Sequence, residues 1–518
     1  MAGRTLHVTQ RTAAVIGSIL VYVLIWISLA LLIAALGIRY FWGTISVGQM
    51  LLNLVSVQTD GGGGPIVWIG IIGVGIVPLV LTLGIALWRA HRRRKRRRLG
   101  IERPSRGPRW ALRTLSTVVV AALVVGATTA FATTVGVGDY IKAGNSAYDL
   151  GDYYVQPDIT SDAHRRNLVV IYLESGEATL ADDQLFEKNA FAPLQDATRP
   201  EDGWQSVKDF QQYEGGGWTM AGLTSTMCGI PLKGMGSVVG SGALNELGDD
   251  VKNYLGGATC LGDVLADHGY TNVFLGGANS SFAAKDTLLK THGYTKDLGL
   301  ADWRAAGEPQ KNFRSDWGLS DGRLMAHARD QIDQLHAESK KTGQPFNLSM
   351  LTLDTHEPVH IYDYCDVDTQ NQVTSAFFCS MTQVAGFVDY MKAKGYLKDT
   401  AVVVMGDHLK HMSAGDAFHE QLDHHPNRTI FNRIWVPGDG QKNQLRPRVD
   451  QLNMYPTLLE AAGLTVKNHE AGLGVSAFSP EVPPDSAQAL GPEAYVELLD
   501  SRSATFYAKV WDGEQSAQ

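Results

Sequence analysis

The sequence predicts a membrane-anchored α/β protein, in which three transmembrane helices precede a domain with a mostly parallel central sheet. Three observations support this fold class. The first quarter of the chain contains three long apolar stretches, the remainder alternates short apolar runs with helical patterns, and reactive side chains follow several of those runs. With 518 residues, the chain is long enough for more than one folded unit.

The three apolar stretches are residues 12–37, 66–88 and 112–136. Each is longer than the roughly 20 residues that a helix needs to cross a bilayer. Buried helices of soluble proteins rarely reach this length without a polar face, which these stretches lack. We therefore expect residues 1–136 to form a multi-pass transmembrane region.

A basic loop, residues 89–111, separates the second and third stretches and contains eleven Lys and Arg residues. Such a cluster beside a membrane span favours the cytoplasmic side and the anionic lipids of the inner leaflet. A nucleic-acid-binding arm has a similar composition, but a position between two spans argues against it, so we expect membrane lipids and no nucleic acid as partners. The loop predicts a cytoplasmic N-terminus and an extracytoplasmic domain after the third span.

The charge differs sharply between the two parts of the chain. Residues 1–136 contain 15 basic and two acidic residues, a net charge of +13, whereas the whole chain carries −8. The remainder therefore carries −21, the difference between these two values. Because the field of so acidic a domain repels anionic substrates, an anionic substrate would need a local cation, which points to a metal ion.

All four cysteines, Cys228, Cys260, Cys365 and Cys379, lie in the part predicted to be extracytoplasmic. An even number of cysteines in an oxidising compartment indicates two disulfides. The simplest pairing joins neighbours in sequence, the first with the second and the third with the fourth, although four cysteines allow three connectivities. A zinc site is the alternative, but no C-x-x-C spacing supports it.

After a polar connector, residues 137–166, we expect a catalytic domain over residues 167–480 and a C-terminal tail over 481–518. The apolar runs in this domain lack alternation, which indicates strands that are buried on both faces, as in a parallel sheet between helices. Predicted strands are 167–173, 271–275, 346–353, 401–405 and 430–436, and predicted helices are 260–268, 320–341, 377–394 and 453–462.

Reactive residues follow three of the predicted strands. Glu174 follows the first, the pair Asp407–His408 follows the fourth, and His356 comes shortly after the third. In open α/β sheets, ligands bind beyond the carboxyl ends of the strands. Carboxylates and imidazoles that converge there form a set of ligands for a divalent metal ion.

A candidate nucleophile, Thr219, follows the glycine run 215–217 and stands where a helix is predicted to begin. The glycines allow a substrate to approach closely, and the positive end of a helix favours an oxyanion. A coordinated divalent cation would lower the pKa of the hydroxyl further. The alternative interpretation is that Thr219 is a plain N-cap in a glycine-rich loop.

Several short motifs, in this order, make residues 167–478 resemble the phosphoglycerol transferases of the alkaline phosphatase/sulfatase superfamily. The resemblance extends to the lipoteichoic acid synthase-like group and, more closely, to the enzymes that decorate periplasmic glucans. The motifs are Leu173-Glu174-Ser175, Trp218-Thr219-Met220-Ala221-Gly222, Cys228-Gly229-Ile230-Pro231-Leu232, Gly277-Ala278-Asn279, Lys285-Asp286, His292-Gly293, Asp316-Trp317-Gly318, Asp354-Thr355-His356, Gly406-Asp407-His408-Leu409 and Gly472-Leu473-Gly474.

The resemblance implies an alkaline phosphatase/sulfatase-like domain with one catalytic divalent cation, expected to be Mn2+, with Mg2+ or Zn2+ as alternatives. Its ligands would be Glu174, Thr219, Asp407 and His408. Thr219 would attack the phosphorus of phosphatidylglycerol, release diacylglycerol and carry the phosphoglycerol group. A hydroxyl of a glycan or teichoic-acid-like acceptor would then displace the threonine.

The resemblance also implies residues that bind the substrate. His356 would contact the phosphate or protonate the leaving oxygen, and Trp317 would line the glycerol pocket. Asp316 and Lys285 belong to motifs of the same site. His411 departs from the pattern of the glucan-decorating relatives, and it is either an extra phosphate contact or a solvated surface residue.

Three rival functions remain at this level. A phosphoethanolamine transferase that modifies an envelope lipid or glycan would share the fold and the threonine. A sulfatase needs C-x-P-x-R, whereas the chain reads Cys-Gly-Ile-Pro-Leu-Lys from Cys228, with the wrong spacing and no Arg. A non-catalytic binding module would not need the complete set of Glu174, Thr219, Asp407 and His408.

Overall fold

The computed structural model describes residues 2–42, 69–100, 106–233, 252–314, 317–411, 417–423, 425–438 and 445–512. These residues divide into two compact units, one that ends at Ile141 and one that begins at Lys142.

The first unit consists of long apolar helices. Three of them are long and apolar enough to cross a membrane, over Val15–Tyr40, Ile71–Arg98 and Arg113–Thr134, which confirms the predicted number of spans. The second helix continues into the basic loop as far as Arg98. Between the first and third helices, Arg39 Nε donates to Thr134 Oγ1 at 2.9 Å. The helices of this unit are α1 (Ala2–Trp42), α2 (Val77–Arg98, after a π-helical turn Ile71–Ile76), α3 (Arg106–Thr134) and α4 (Val137–Ala143), the last of which ends in the second unit.

The second unit alternates strands and helices. Its strands are β1 (Ile159–Ser161), β2 (Asn167–Leu173), β3 (Thr271–Gly276), β4 (Lys296–Leu298), β5 (Phe313–Arg314), β6 (Gly318–Leu319), β7 (Phe346–Leu351), β8 (Thr400–Gly406), β9 (Asn432–Trp435), β10 (Thr465–Val466), β11 (Glu470–Ala471) and β12 (Gly474–Val475). Its helices are α5 (Ala192–Ala197), α6 (Thr219–Cys228), α7 (Leu261–Asp267), α8 (Lys285–Thr291), α9 (Leu300–Ala305), α10 (Asp321–Thr342), α11 (Gln372–Lys394), α12 (His419–Leu422), α13 (Met454–Ala461), α14 (Pro492–Asp500) and α15 (Ala504–Asp512).

Six strands form the central sheet, in the order β4-β3-β7-β2-β8-β9. All neighbouring pairs are parallel except β8–β9, which is antiparallel. The predicted mostly parallel sheet is therefore confirmed, with one antiparallel strand at its edge. Because β2, β7 and β8 are parallel neighbours, their carboxyl ends lie side by side at one edge of the sheet.

The central strands are buried on both faces, as their unbroken apolar runs predict. In β2, Leu168, Val170 and Tyr172 pack in the core that contains α6 and α13. The alternate residues of the same strand, such as Ile171, pack in a second core with α10 and α11. Successive side chains of a strand point to opposite faces, so one continuous apolar run contributes to both cores.

The segments that the sequence assigns to a connector and a tail contribute to this unit. Strand β1, in the connector 137–166, pairs with β10. In the predicted tail 481–518, helix α15 buries Phe506, Tyr507 and Val510 in the core with α6. The apolar face of this short helix explains why the chain packs on the domain as far as Trp511.

Two disulfides are present, Cys228–Cys260 and Cys365–Cys379, which confirms the simplest pairing. The first joins the last residue of α6 to the N-cap of α7. The second joins the segment after β7 to α11. The second disulfide therefore fixes the segment that follows the carboxyl end of β7.

Candidate active site

Glu174 and the pair Asp407–His408 meet at the carboxyl edge of the sheet. Glu174 directly follows β2, and Asp407 directly follows its parallel neighbour β8. His408 Nε2 lies 3.5 Å from Glu174 Oε1 and 3.5 Å from Asp407 Oδ2. One ligand atom from each of the three buried residues lies within 4.8 Å of the others, so these residues could hold a metal ion. We call Glu174, Asp407 and His408 the metal group.

Thr219 is brought to this group by the start of helix α6. Its hydroxyl donates to Glu174 Oε2 at 3.2 Å. The N-cap of the helix is Trp218, and Thr219 is the first helical residue, so the structure does not place Thr219 as the N-cap. The helix can approach because residue 222 is glycine: a Cβ there would lie 2.2 Å from the backbone oxygen of Asp407.

Ser175 and the backbone fix the two carboxylates. The Ser175 amide donates to Asp407 Oδ1 at 2.9 Å, and its hydroxyl donates to Glu174 Oε1 at 2.8 Å. Ser175 adopts a left-handed conformation, with φ of 54°. Such a conformation is strained for a serine, and strain of this kind is concentrated at functional sites. The other oxygen of Asp407, Oδ2, is buried and has no hydrogen-bond partner among the described residues.

The donor set fits a divalent cation. His408 Nδ1 lies 2.7 Å from the carbonyl oxygen of Leu409. A carbonyl only accepts, so the proton stands on Nδ1, and in the neutral ring the lone pair of Nε2 faces Glu174 and Asp407. A metal-ligating imidazole is commonly oriented in this way by a backbone carbonyl. A cation would provide the partner that the lone pair and Asp407 Oδ2 lack.

The pKa values of the three residues reflect burial together with the mixture of carboxylates and imidazoles. Burial, with the charge of Glu174, raises the pKa of Asp407 to about 7, although His408 opposes the change. Burial would also raise the pKa of Glu174, but His408, His356 and two hydroxyl hydrogen bonds hold it below its usual value. Burial lowers the pKa of His408, and the two carboxylates outweigh that effect and raise it.

His356 and Trp317 lie next to each other on a second side of the site. Their ring centroids are 4.7 Å apart. Arg314 donates to the backbone oxygen of His356 at 2.6 Å, and His356 Nδ1 lies 2.8 Å from the carbonyl oxygen of Glu357. Burial lowers the pKa of His356 although Glu174 opposes the effect. Trp317 Nε1 is buried without a partner among the described residues.

The remaining predicted site residues differ in how far the structure describes them. Lys285 is buried at the start of α8, and burial lowers its pKa to about 8, although the charges of Glu174 and Asp407 act in the opposite direction. The ring of His411 is 5.9 Å from that of His408, so His411 borders the metal group. Asp316 lies outside the described residues.

Sequence reasoning missed a buried ionic network beneath these residues. Glu177 accepts hydrogen bonds from Arg428 Nε at 2.8 Å and from the Lys410 amide at 3.1 Å. The ammonium of Lys410 pairs with Glu357, the residue after His356. The network therefore connects the segments after β2, β7 and β8. In the sequence, the one feature that could have indicated a role for Glu177 at the site is its position three residues after Glu174. Arg428 belongs to none of the motifs.

Geometry also groups Cys228, Cys260 and His292. The two sulfurs form a disulfide, so they are not available as thiolate ligands. Of the two groups found among the described residues, the one at Glu174 is the candidate metal centre.

The sulfatase family profile matches residues 166–464, which cover β2 to α13 and all the residues of this centre. The chain belongs to the sulfatase family. Membership does not bring the formylglycine chemistry of sulfatases, because Cys228 is held in a disulfide and C-x-P-x-R is absent. Thr219 is the hydroxyl that donates to the metal group instead.

Two curated relatives are similar in sequence to this chain. Phosphoglycerol transferase I of Escherichia coli is 32% identical over 340 residues, which are 64% of this chain and 41% of that protein. The homologous Phosphoglycerol transferase I of Shigella boydii matches to the same extent. The chain thus spans about two-fifths of the length of these curated relatives. This similarity supports the resemblance that the motifs indicated.

A solved structure shares the fold. It is a protein of the alkaline phosphatase superfamily from Vibrio parahaemolyticus, with a TM-score of 0.50 and 18% sequence identity. The match covers 73% of this chain and 96% of that one. The predicted alkaline phosphatase/sulfatase-like domain is therefore confirmed.

Proposed function

We propose that this sulfatase-family protein transfers phosphoglycerol from phosphatidylglycerol to a glycan or polymer acceptor outside the cytoplasmic membrane. The single observation that carries the proposal is the hydrogen bond of the Thr219 hydroxyl to Glu174, within a group that fits a metal ion. The similarity to Phosphoglycerol transferase I supports the choice of transferred group.

Glu174, Thr219, Asp407 and His408 would hold one divalent cation, for which oxygen-rich ligands favour Mn2+, with Mg2+ and Zn2+ as alternatives. When bound, the cation neutralises phosphoryl charge and favours the ionised form of a coordinated hydroxyl. The chain supplies the rest: Ser175 orients both carboxylates, and the Leu409 carbonyl holds the proton of His408 on Nδ1.

In the first step, Thr219 Oγ1 forms a bond to phosphorus while the bond from phosphorus to the diacylglycerol oxygen breaks. The Thr219 proton moves toward Glu174, its hydrogen-bond acceptor. The diacylglycerol oxygen takes up a proton, and His356 in its protonated, imidazolium form is the proposed donor. In the second step, an acceptor hydroxyl bonds to phosphorus and gives its proton to His356, the bond to Thr219 breaks, and Glu174 returns a proton to Thr219. Covalent capture lets the lipid leave before the acceptor arrives.

The three apolar helices serve as a membrane anchor in this proposal, with the N-terminus and the basic loop in the cytoplasm. An anchored catalytic domain stays near the lipid headgroups, where the donor is concentrated. Diacylglycerol then remains in the bilayer, so the reaction need not transfer its apolar chains into water.

The proposal is tested by intact-protein mass spectrometry of the full chain, in detergent with phosphatidylglycerol and Mn2+ and without an acceptor. We expect an adduct of about 154 Da on Thr219, the mass of glycerophosphate less one water, as in a covalent intermediate. The Thr219→Ala variant should lack the adduct, the Thr219→Ser variant should retain it, and EDTA should prevent it.

Two outcomes would contradict the proposal. Diacylglycerol release by Thr219→Ala at the wild-type rate would exclude the threonine as nucleophile. An adduct of about 123 Da, formed from phosphatidylethanolamine in place of phosphatidylglycerol, would instead identify a phosphoethanolamine transferase.

A further inference from the structure

Two exposed aromatic rings neighbour residues that flank His356: Phe282 contacts Trp317, and Tyr364 contacts Asp354. Among the described residues of the second unit, large apolar side chains are exposed at only four positions, and two of these are the rings of Phe282 (40% exposed) and Tyr364 (47% exposed). Phe282 is 6.4 Å from the ring of Trp317, which in turn neighbours His356. Exposed apolar surface next to a catalytic group is typical of a binding surface.

Tyr364 is exposed but held in place. Its ring stacks on that of Tyr362, with centroids 5.4 Å apart and planes 8° from parallel. Its hydroxyl accepts from the Gly322 amide at 3.4 Å and donates to Asp354 Oδ2 at 3.5 Å. The next residue, Cys365, is tied to α11 by a disulfide. We call Tyr362 and Tyr364 the tyrosine rim. A ring fixed in this way presents a preformed flat surface.

Buried polar atoms behind the tyrosine rim lack partners. Asp354 Oδ1 and the hydroxyl of Tyr362 have no hydrogen-bond partner among the described residues, and both residues are at most 5% exposed. Asp354 precedes His356 by two residues. Because an unpaired buried polar atom is costly, such atoms in a native site call for a missing partner. Hydroxyl groups can supply it, since they both donate and accept.

The charges around the tyrosine rim indicate which kind of ligand can bind there. Asp363 and Asp366 are exposed in the same segment, whereas the exposed Asp368 is paired with Lys188, and the domain is acidic as a whole. Anionic lipid headgroups and polyphosphate chains are repelled there. An uncharged sugar fits, because its C–H face packs on an aromatic ring and its hydroxyls bind carboxylates.

We propose that the tyrosine rim is an acceptor subsite, which binds an uncharged sugar unit and directs its hydroxyl to the phosphorus on Thr219. The inference rests on the proposed function. In the step concerned, the acceptor oxygen bonds to phosphorus, the bond to Thr219 Oγ1 breaks, and the acceptor proton is exchanged for one on Thr219. Without a bound sugar, water takes the same place and free glycerophosphate results.

The test measures how much of the phosphoglycerol on Thr219 is transferred to a sugar and how much is hydrolysed by water. The full chain is incubated with phosphatidylglycerol vesicles, Mn2+ and maltohexaose or laminarihexaose as uncharged probes, and both glycerophospho-oligosaccharide and free glycerophosphate are quantified. Tyr364→Ala should lower the ratio of transfer to hydrolysis about tenfold, the effect of one lost aromatic contact. Tyr364→Phe, which keeps the ring, should stay within about twofold. Val496→Ala, an exposed apolar residue on α14, is the matched control and should leave the ratio unchanged.

Every other result contradicts either the acceptor subsite or the proposed function on which it rests. An unchanged ratio in Tyr364→Ala overturns the subsite, as does a wild-type protein that forms the adduct but transfers to neither oligosaccharide. Slower diacylglycerol release from vesicles with an unchanged ratio would identify the rim as a lipid contact. If the wild type forms no adduct, the proposed function fails instead. Should Tyr364→Ala not fold, Tyr364→Leu replaces it.

Discussion

The two sides of the candidate site differ in how completely their polar atoms are paired. On the metal side, formed by Glu174, Ser175, Asp407 and His408, hydrogen bonds from serine and from the backbone fix the ligand residues. Among the described residues, Asp407 Oδ2 and the lone pair of His408 Nε2 are the ligand atoms of this side that lack a hydrogen-bond partner. On the His356 side, three buried polar atoms lack partners among the described residues. They are Trp317 Nε1, Asp354 Oδ1 and the hydroxyl of Tyr362.

This difference indicates two kinds of ligand. One unpaired carboxylate oxygen, surrounded by groups that are already fixed, leaves room for a single ion with defined ligands. Three unpaired atoms of mixed donor and acceptor character instead suit a larger group with several hydroxyls. We therefore interpret the metal side as the place where Thr219 is activated, and the His356 side as the place where the substrate is recognised and where His356 supplies the proposed proton.

The largest effect that tests this comparison is expected from Asp407→Asn. The carbonyl oxygen of asparagine can replace Oδ1, which accepts from the amides of Ser175 and His408. Its amide group would then stand at the position of Oδ2, which has no hydrogen-bond partner among the described residues, and could donate toward the lone pair of His408 Nε2, 3.5 Å away. We expect diacylglycerol release to fall at least about a thousandfold, as for loss of a preorganised electrostatic group.

The same variant should be more stable than the wild type when both are metal-free, by about 1–3 kcal/mol, because a buried atom gains a partner. Calorimetry in EDTA and after addition of Mn2+ measures both effects, and Mn2+ should stabilise only the wild type. A metal-free variant that is less stable than the wild type would show that Asp407 is paired without an ion. The metal side would then no longer need a metal ion to complete its pairing.

The second prediction concerns the network that connects the two sides. Glu177→Gln removes the charge that pairs with Arg428, in a pair whose carboxylate is fully buried. Breaking a buried ion pair from one side costs about 3–5 kcal/mol, because the remaining charge stays unpaired. Urea unfolding of the metal-free protein measures the loss.

The matched control is Asp196→Asn, which removes an exposed pair with Arg199. Exposed pairs contribute about 0–1 kcal/mol, so this variant should unfold close to the wild type. Equal, small losses in the two variants would mean that the Glu177 network does not hold the segments after β2, β7 and β8 together.

Much of this architecture could be predicted from the sequence, because the signals were local. The strand 167–173 has the same bounds in prediction and structure, since its apolar run is unbroken and is bounded by polar residues. The antiparallel direction of β9 could not be predicted, because the pattern of a short strand does not record which neighbour it joins or in which direction.

The site shows the same division. Glu174 and Asp407 could be predicted because each directly follows a buried strand, and parallel neighbours bring such residues together. Arg428 could not be predicted, because it meets Glu177 across 251 positions of sequence without a motif. The tyrosine rim depends on how a segment without regular structure lies over α10, which periodicity does not encode.

The smallest predicted effect tests the His356 side. Trp317→Phe keeps an aromatic ring next to His356 and removes only the indole N–H, which has no hydrogen-bond partner among the described residues. If that N–H binds the substrate, as the comparison implies, kcat/KM for diacylglycerol release should fall about tenfold, the effect of one hydrogen bond to a charged or polar group. The free energy of unfolding should not decrease by more than about 1 kcal/mol, because no intramolecular hydrogen bond is lost. A variant with unchanged kcat/KM but lower stability would show that Trp317 only packs the core, and its unpaired N–H would then say nothing about the substrate.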